Sequence, residues 1–145
     1  MRIHVNADDP FKNFNEYKVS TKLQSKLQKI KTETEIEPNL MCRLGFCFSL
    51  NMKDDDGISV EKAQDTSKQI IRKEILFGDN VSVYGSLFEF WCINHSEITA
   101  KISKKDLIEA HITRGLSRLI NLIFVGEGSK KIDFTKLREC LSLSK

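Results

Sequence analysis

The chain has no long hydrophobic run. Its longest apolar stretches, Leu40–Leu50 and Leu116–Val125, are both interrupted by polar residues. Each falls short of the roughly 20 residues a membrane-spanning helix needs. No targeting pattern opens the chain, because Met1–Pro10 is polar and acidic and carries no apolar segment. These absences point to a cytoplasmic protein with no membrane partner. The common site spacings are missing too. The four cysteines, Cys42, Cys47, Cys92 and Cys140, sit in apolar surroundings and form no C-x-x-C pair. They read as buried, reduced thiols. Cys92-x-x-His95 has the spacing of two metal ligands but no second pair to close a tetrahedron. Asp54-Asp55-Asp56 lacks the spacing and closing glutamate of a calcium loop. There is no glycine-rich phosphate loop, no G-x-S-x-G and no H-E-x-x-H. No metal or cofactor is expected, and no repeat or low-complexity tract is present.

What remains is an ordinary globular composition over 145 residues, read as one domain with residues 1–14 as an arm. The net charge of +3 is modest, but the charges are sorted along the chain. Six lysines stand against Glu16 alone between Lys12 and Lys31. Five basic residues stand against Asp106 and Glu109 between Lys101 and Arg118. Acids gather at Glu33–Glu37 and Asp54–Asp56. Such sorting predicts a charged face rather than a uniform surface.

Taken in order, Asn15–Val19 has weak strand character. Thr21–Thr32 is predicted helical, with Leu23, Leu27 and Ile30 as its apolar stripe and Ser20 as its N-cap. Lys22, Lys26 and Lys29 repeat the same spacing one position earlier. Pro38 suits the first position of a second helix, where its missing amide costs nothing. That helix is apolar almost all round and must be covered on most sides. Gly45 within it fits a close backbone approach. Ile70–Phe77 has strand character and ends at the Gly78-Asp79-Asn80 turn signal. Val81–Asn94 is read as a helix capped by Asp79 or Asn80. Ser103 and Asp106 form a capping box ahead of the longest helix, with Ile108, Ile112, Leu116, Leu119 and Ile123 as its stripe. Gly126-Glu127-Gly128 ends that helix, and Asp133 caps a last short one with Phe134, Leu137 and Leu141.

Two pieces of this order carry a resemblance. One is Lys22–Leu50, of the form L-x-x-x-L-x-x-I-K-T followed by I-x-P-N-L-x-C-R-L-G-F-C-F-S-L. The other is Glu109–Leu119, which fits A-H-I-x-R-G-x-x-x-L. Together they resemble the DndE family of prokaryotic DNA phosphorothioation systems. The stretch Phe77–Phe88 fits loosely, and the arm and the Lys53–Lys73 region are unmatched. The resemblance implies a mainly α fold with few short strands. Its N-terminal unit would be ribbon-helix-helix-like and packed with the C-terminal helices. It implies homotetramers that bind duplex DNA, with a preference for nicked duplex. It also implies other DNA sulfur modification proteins as partners, among them a cysteine desulfurase, and nicking activity in some members.

On this reading the expected function is a DNA-binding accessory subunit. The alternatives are a DNA nickase and a ribbon-helix-helix-like transcription regulator. Lys18, Lys22, Lys26, Lys29 and Lys31 are the expected DNA-binding face, since Lys contacts to phosphate release condensed counterions. The bland alternative is a solvated helix face. Arg43 either meets phosphate or pairs with Glu33, Glu35 or Glu37. His111, Arg114 and Arg118 share a helical face by spacing. They can hold a phosphate, or His111 can act as a general base. The competing reading for His111 is a packed structural residue.

Overall fold

The computed structural model describes residues 16–20, 23–53, 58, 68–72, 76–124 and 132–143. The expected arm (residues 1–14), Lys22, the acidic triplet Asp54–Asp56 and Gly126–Gly128 lie outside them. The fold is mainly helical. The elements are β1 (Glu16–Ser20), α1 (Gln24–Thr34), α2 (Pro38–Leu50), β2 (Lys68–Arg72), α3 (Val81–Asn94), α4 (Lys104–Ile123) and α5 (Phe134–Leu143). A 3-10 turn at Gly78–Asn80 precedes α3, and a single helical turn at Ser96–Thr99 follows it. Among the described residues no helix is long and apolar enough to cross a membrane.

β1 and β2 form a two-stranded antiparallel ladder running from Glu16↔Arg72 to Ser20↔Lys68. Ser20 is therefore not a helix cap. It is committed to the ladder, and α1 begins after Leu23 without a side-chain cap. α1 buries Leu27 and Ile30, as its stripe requires. It closes on Glu35, held at a left-handed φ of 64° with its N–H bonded to the Lys31 carbonyl at 2.8 Å. Three residues later Pro38 opens α2 at its first position.

β2 ends at Arg72, earlier than the strand expected through Phe77. Leu76 and Phe77 are helical and fully buried. Phe77 packs edge-on against Tyr17 of β1 and Phe46 of α2, with centroids at 6.1 and 5.2 Å. An aromatic core anchors this segment more strongly than its β propensity would extend it. Neither Asp79 nor Asn80 caps α3 through its side chain.

α4 is the axis of the molecule. Ile108, Ile112, Leu116, Leu119 and Ile123 are all essentially buried, and so are Leu107, Ala110 and Ile120. Its N-terminus is capped as its sequence predicts, with the Asp106 amide donating to Ser103 Oγ at 3.2 Å. Asp133 Oδ1 likewise accepts from the amides of Thr135 and Lys136 at the start of α5.

The most extensive helix contact is between α2 and α4. It has no spacer at its crossing point. A Cβ on Gly45 would stand 2.7 Å from the Leu116 amide nitrogen, and a Cβ on Gly115 would fall onto the Gly45 carbonyl oxygen. Two glycines let the backbones touch. The apolar surface of α2 and α4 is thus largely consumed inside one chain, leaving Leu40 and Leu122 partly in solvent.

Candidate functional site

The basic residues singled out above fall into two settings. The first is the outer side of α1. Lys26, Lys29 and Lys31 are half-exposed there. Lys26 Nζ lies 5.4 Å from the centroid of the Phe124 ring, a cation–π distance. Lys29 Nζ meets Glu33 at 3.5 Å, and Lys31 Nζ meets Glu37 at 3.4 Å. Both are surface pairs, which contribute little and exchange readily for other anions. Lys18 lies in β1 opposite Ile70.

The second setting is interior. On α4, His111 is completely buried and Arg114 is 4% exposed, whereas Arg118 one turn on is in solvent. The shared face expected of these three holds by spacing, but it passes from core to surface along its length. Arg114, expected among the surface cations, is instead enclosed. Its Nε donates to Ser49 Oγ at 2.7 Å and its Nη2 donates to the Ser49 carbonyl at 2.7 Å. That carbonyl belongs to the last turn of α2, the negative end of the helix, so the guanidinium sits where a cation is favoured. Ser49 Oγ is also 2.7 Å from His111 Nδ1. Because the hydroxyl oxygen accepts from Arg114, its own proton goes to Nδ1. The network therefore assigns neutral His111 with its proton on Nε2.

The surroundings favour the same state. Phe46, Phe88 and Trp91 enclose the imidazole edge-to-face, Trp91 at 4.3 Å. Burial first, and then the charges of Arg114 and His95, push the His111 pKa down to about 3. Nε2 has no hydrogen-bond partner among the described residues. A general base needs a proton to take from a reachable group. Here His111 is walled by aromatic rings, and the arrangement is that of a structural node.

Ser49 is the residue sequence reasoning missed. Its signal was present: it lies one turn after Gly45 on α2, as His111 lies one turn before Gly115 on α4. Antiparallel helices touching at the two glycines bring those two positions face to face.

Arg43, half-buried on α2, donates from Nε to the Leu76 carbonyl. It also fills the space over Gly78, where a Cβ would lie 2.9 Å from Nη2. Glu33 and Glu37, its expected partners, lie beside Lys29 and Lys31. Arg43 thus ties the turn before α3 to α2.

Cys42, Cys47 and Cys92 are free thiols. Burial pushes Cys42 up to about 12 and Cys92 to about 11, so both stay protonated at neutral pH. His95 stacks flat on Trp91 at 4.1 Å, with Nδ1 placed 2.8 Å from the Trp91 carbonyl. Among the described residues no cluster of His, Cys, Asp or Glu could hold a metal.

Fold and site together define a small helical domain with a basic outer helix and a closed polar node inside. The sequence model of one family, described as DNA sulphur modification protein DndE, matches residues 16–123. The chain belongs to the DndE family. Among solved structures it is similar to the crystal structure of DndE from Escherichia coli B7A, a protein involved in DNA phosphorothioation modification. The two share 19% identity with a TM-score of 0.53, over 72% of this chain and 95% of that one. No curated protein matches the chain.

Proposed function

We propose that this protein is a DNA-binding accessory subunit of a cytoplasmic DNA phosphorothioation system. In this reading it engages duplex DNA, nicked duplex by preference, through the outer side of α1. The observation that carries the proposal is the placement of Lys26, Lys29 and Lys31 on that side. Their described acidic partners are surface glutamates, which phosphate can displace. Lys18, Lys22, Arg43 and Arg118 extend the proposed contact set. Ammonium groups about a helical turn apart suit backbone phosphates and carry no base preference. Sulfur chemistry would belong to other DNA sulfur modification proteins.

The order β1-α1-α2 is that of a ribbon-helix-helix module, and we propose that relationship for the N-terminal half. In this chain β1 is laddered to β2 of the same chain. A homotetramer is also proposed. Val83, Ile93, Leu122 and Phe134 are apolar groups standing 46–74% in solvent, and a second copy would cover them. The nickase reading through His111 is weaker, because that imidazole is enclosed and bonded to Ser49.

The test is binding to intact and nicked duplex over a salt series. The proposal expects log affinity to fall steeply with log salt, by about 0.9 per phosphate neutralised. Replacing Lys26, Lys29 and Lys31 together by Glu should remove binding and leave the helical circular dichroism unchanged. Equal affinity of that variant at low salt would remove α1 from the contact.

A further inference from the structure

A groove of about 190 Å³ runs between the end of α2 and the outer face of α3. It is smaller than the roughly 300–1,000 Å³ of drug-sized ligand sites. Trp91, only 4% exposed and stacked on His95, forms its inner wall. Phe90 and Leu87 stand on its rim, 68% and 47% exposed. The side-chain amides of Asn51 and Asn94 complete it. The Phe90 carbonyl accepts from the Asn94 amide nitrogen at 2.9 Å, which leaves that side chain a second N–H and its own carbonyl.

Three features select the occupant. Phe90 offers an aromatic face to solvent, and every nucleobase has a π-face to lay on it. Asn51 and Asn94 offer donors and acceptors of the kind that read base edges. The Trp91 indole N–H is a buried donor with no hydrogen-bond partner among the described residues. The electrostatics agree with a nucleic acid. No carboxylate lines the groove, and exposed Lys53 follows Asn51 by two residues.

We propose that this groove is a nucleobase subsite that takes a single unpaired base of the DNA, stacked on Phe90 and held at its edge by Asn94. The inference rests on the DNA-binding reading above and adds a second contact to it, away from the phosphates. It gives a nicked duplex something an intact one lacks, a base free to leave the stack.

The chain has one tryptophan, so its emission reports on this groove alone. The full-length protein is titrated with an intact duplex, with the same duplex carrying one unpaired adenine, and with a single-stranded oligonucleotide. The unpaired base is expected to tighten binding by about tenfold and to quench Trp91. Phe90→Ala and Asn94→Ala are expected to erase that gain and leave affinity for the intact duplex unchanged. Both residues are exposed, so neither change threatens the fold. No gain from the unpaired base, or a gain that survives Phe90→Ala, overturns the proposal. If intact duplex does not bind at all, the lysine reading fails separately. Quenching by the single strand that Phe90→Ala abolishes would then still uphold the groove, and absence of quenching would end it. A drop in molecular mass of the Phe90→Ala protein by light scattering would make the groove a contact between copies and also overturn the inference.

Discussion

Two helices of this protein carry basic residues at helical spacing, and the two sets meet opposite fates. On α1, Lys26 and Lys29 stay at the surface beside a ring and a glutamate. On α4, His111 and Arg114 are sealed in the core against Ser49. Spacing alone does not separate them. The residues in between do. α1 has a single apolar stripe, so its other sides face water. The first half of α4 is buried on every side, from Leu107 through Ile112, and whatever polar groups it carries must find partners inside. A charge pattern names a face. The apolar residues around it decide whether that face is a surface.

The largest effect should come from opening the contact that encloses the α4 set. Gly115→Ala places a methyl on the Gly45 carbonyl, which cannot move without shifting α2. A loss of about 3 kcal/mol or more is expected in urea unfolding, at the upper end for overpacking. A smaller cost would mean that the crossing is looser than the backbone contact implies. Next is Arg114→Met, which strips Ser49 of two hydrogen bonds from a buried cation. About 2–4 kcal/mol should be lost. Arg114→Lys should rescue little, because an ammonium cannot reproduce the fork. Arg118→Ala, one turn away on the same face, should change stability by no more than about 0.5 kcal/mol. Equal costs at 114 and 118 would erase the distinction between the two settings.

Acid should separate them by a different measure. The folded pKa of His111 lies at about 3, below its ordinary 6.5. Between those values the unfolded chain takes up the proton and the folded chain does not. The stabilisation is therefore complete above pH 6.5 and is lost as pH falls toward 3. The slope from this one group approaches about 1.4 kcal/mol per pH unit. His111→Leu should flatten that limb in unfolding experiments across the range. A limb of unchanged slope would place the titrating group elsewhere.

How much of this was legible depends on whether the signal was local. The stripes of α1 and α4, Pro38 at the head of α2, and the caps at Ser103 and Asp133 are decided within one turn of helix. All of them read correctly. Gly45 announced a close approach, and only the fold could show that Gly115 was its partner, some 70 positions away by number. Ser20 and Ile70–Phe77 misled for the same reason. A ladder between distant strands claimed Ser20, and an aromatic core claimed Phe77, and neither partner is near in sequence. Ser49 went unnoticed because one hydroxyl in an apolar helix looks incidental until its opposite number is known.

The smallest effect is the one that most sharpens the contrast. Lys29→Ala removes an exposed i,i+4 pair with Glu33. Such a pair contributes about 0.2–0.5 kcal/mol to a helix, and Ala is the better helix former, so the two terms nearly cancel. Stability should move by no more than about 0.5 kcal/mol in either direction. Its salt dependence should be slight, since only a screened surface pair is lost. If Lys29→Ala instead cost more than about 1 kcal/mol, the α1 lysines would be structural in the way Arg114 is. The glutamates beside them would then be partners to be kept, not counterions that phosphate can replace. A near-zero change leaves the lysines energetically idle within the folded chain and free to act on an outside anion. That is the condition a phosphate-binding face must meet and a buried polar node cannot.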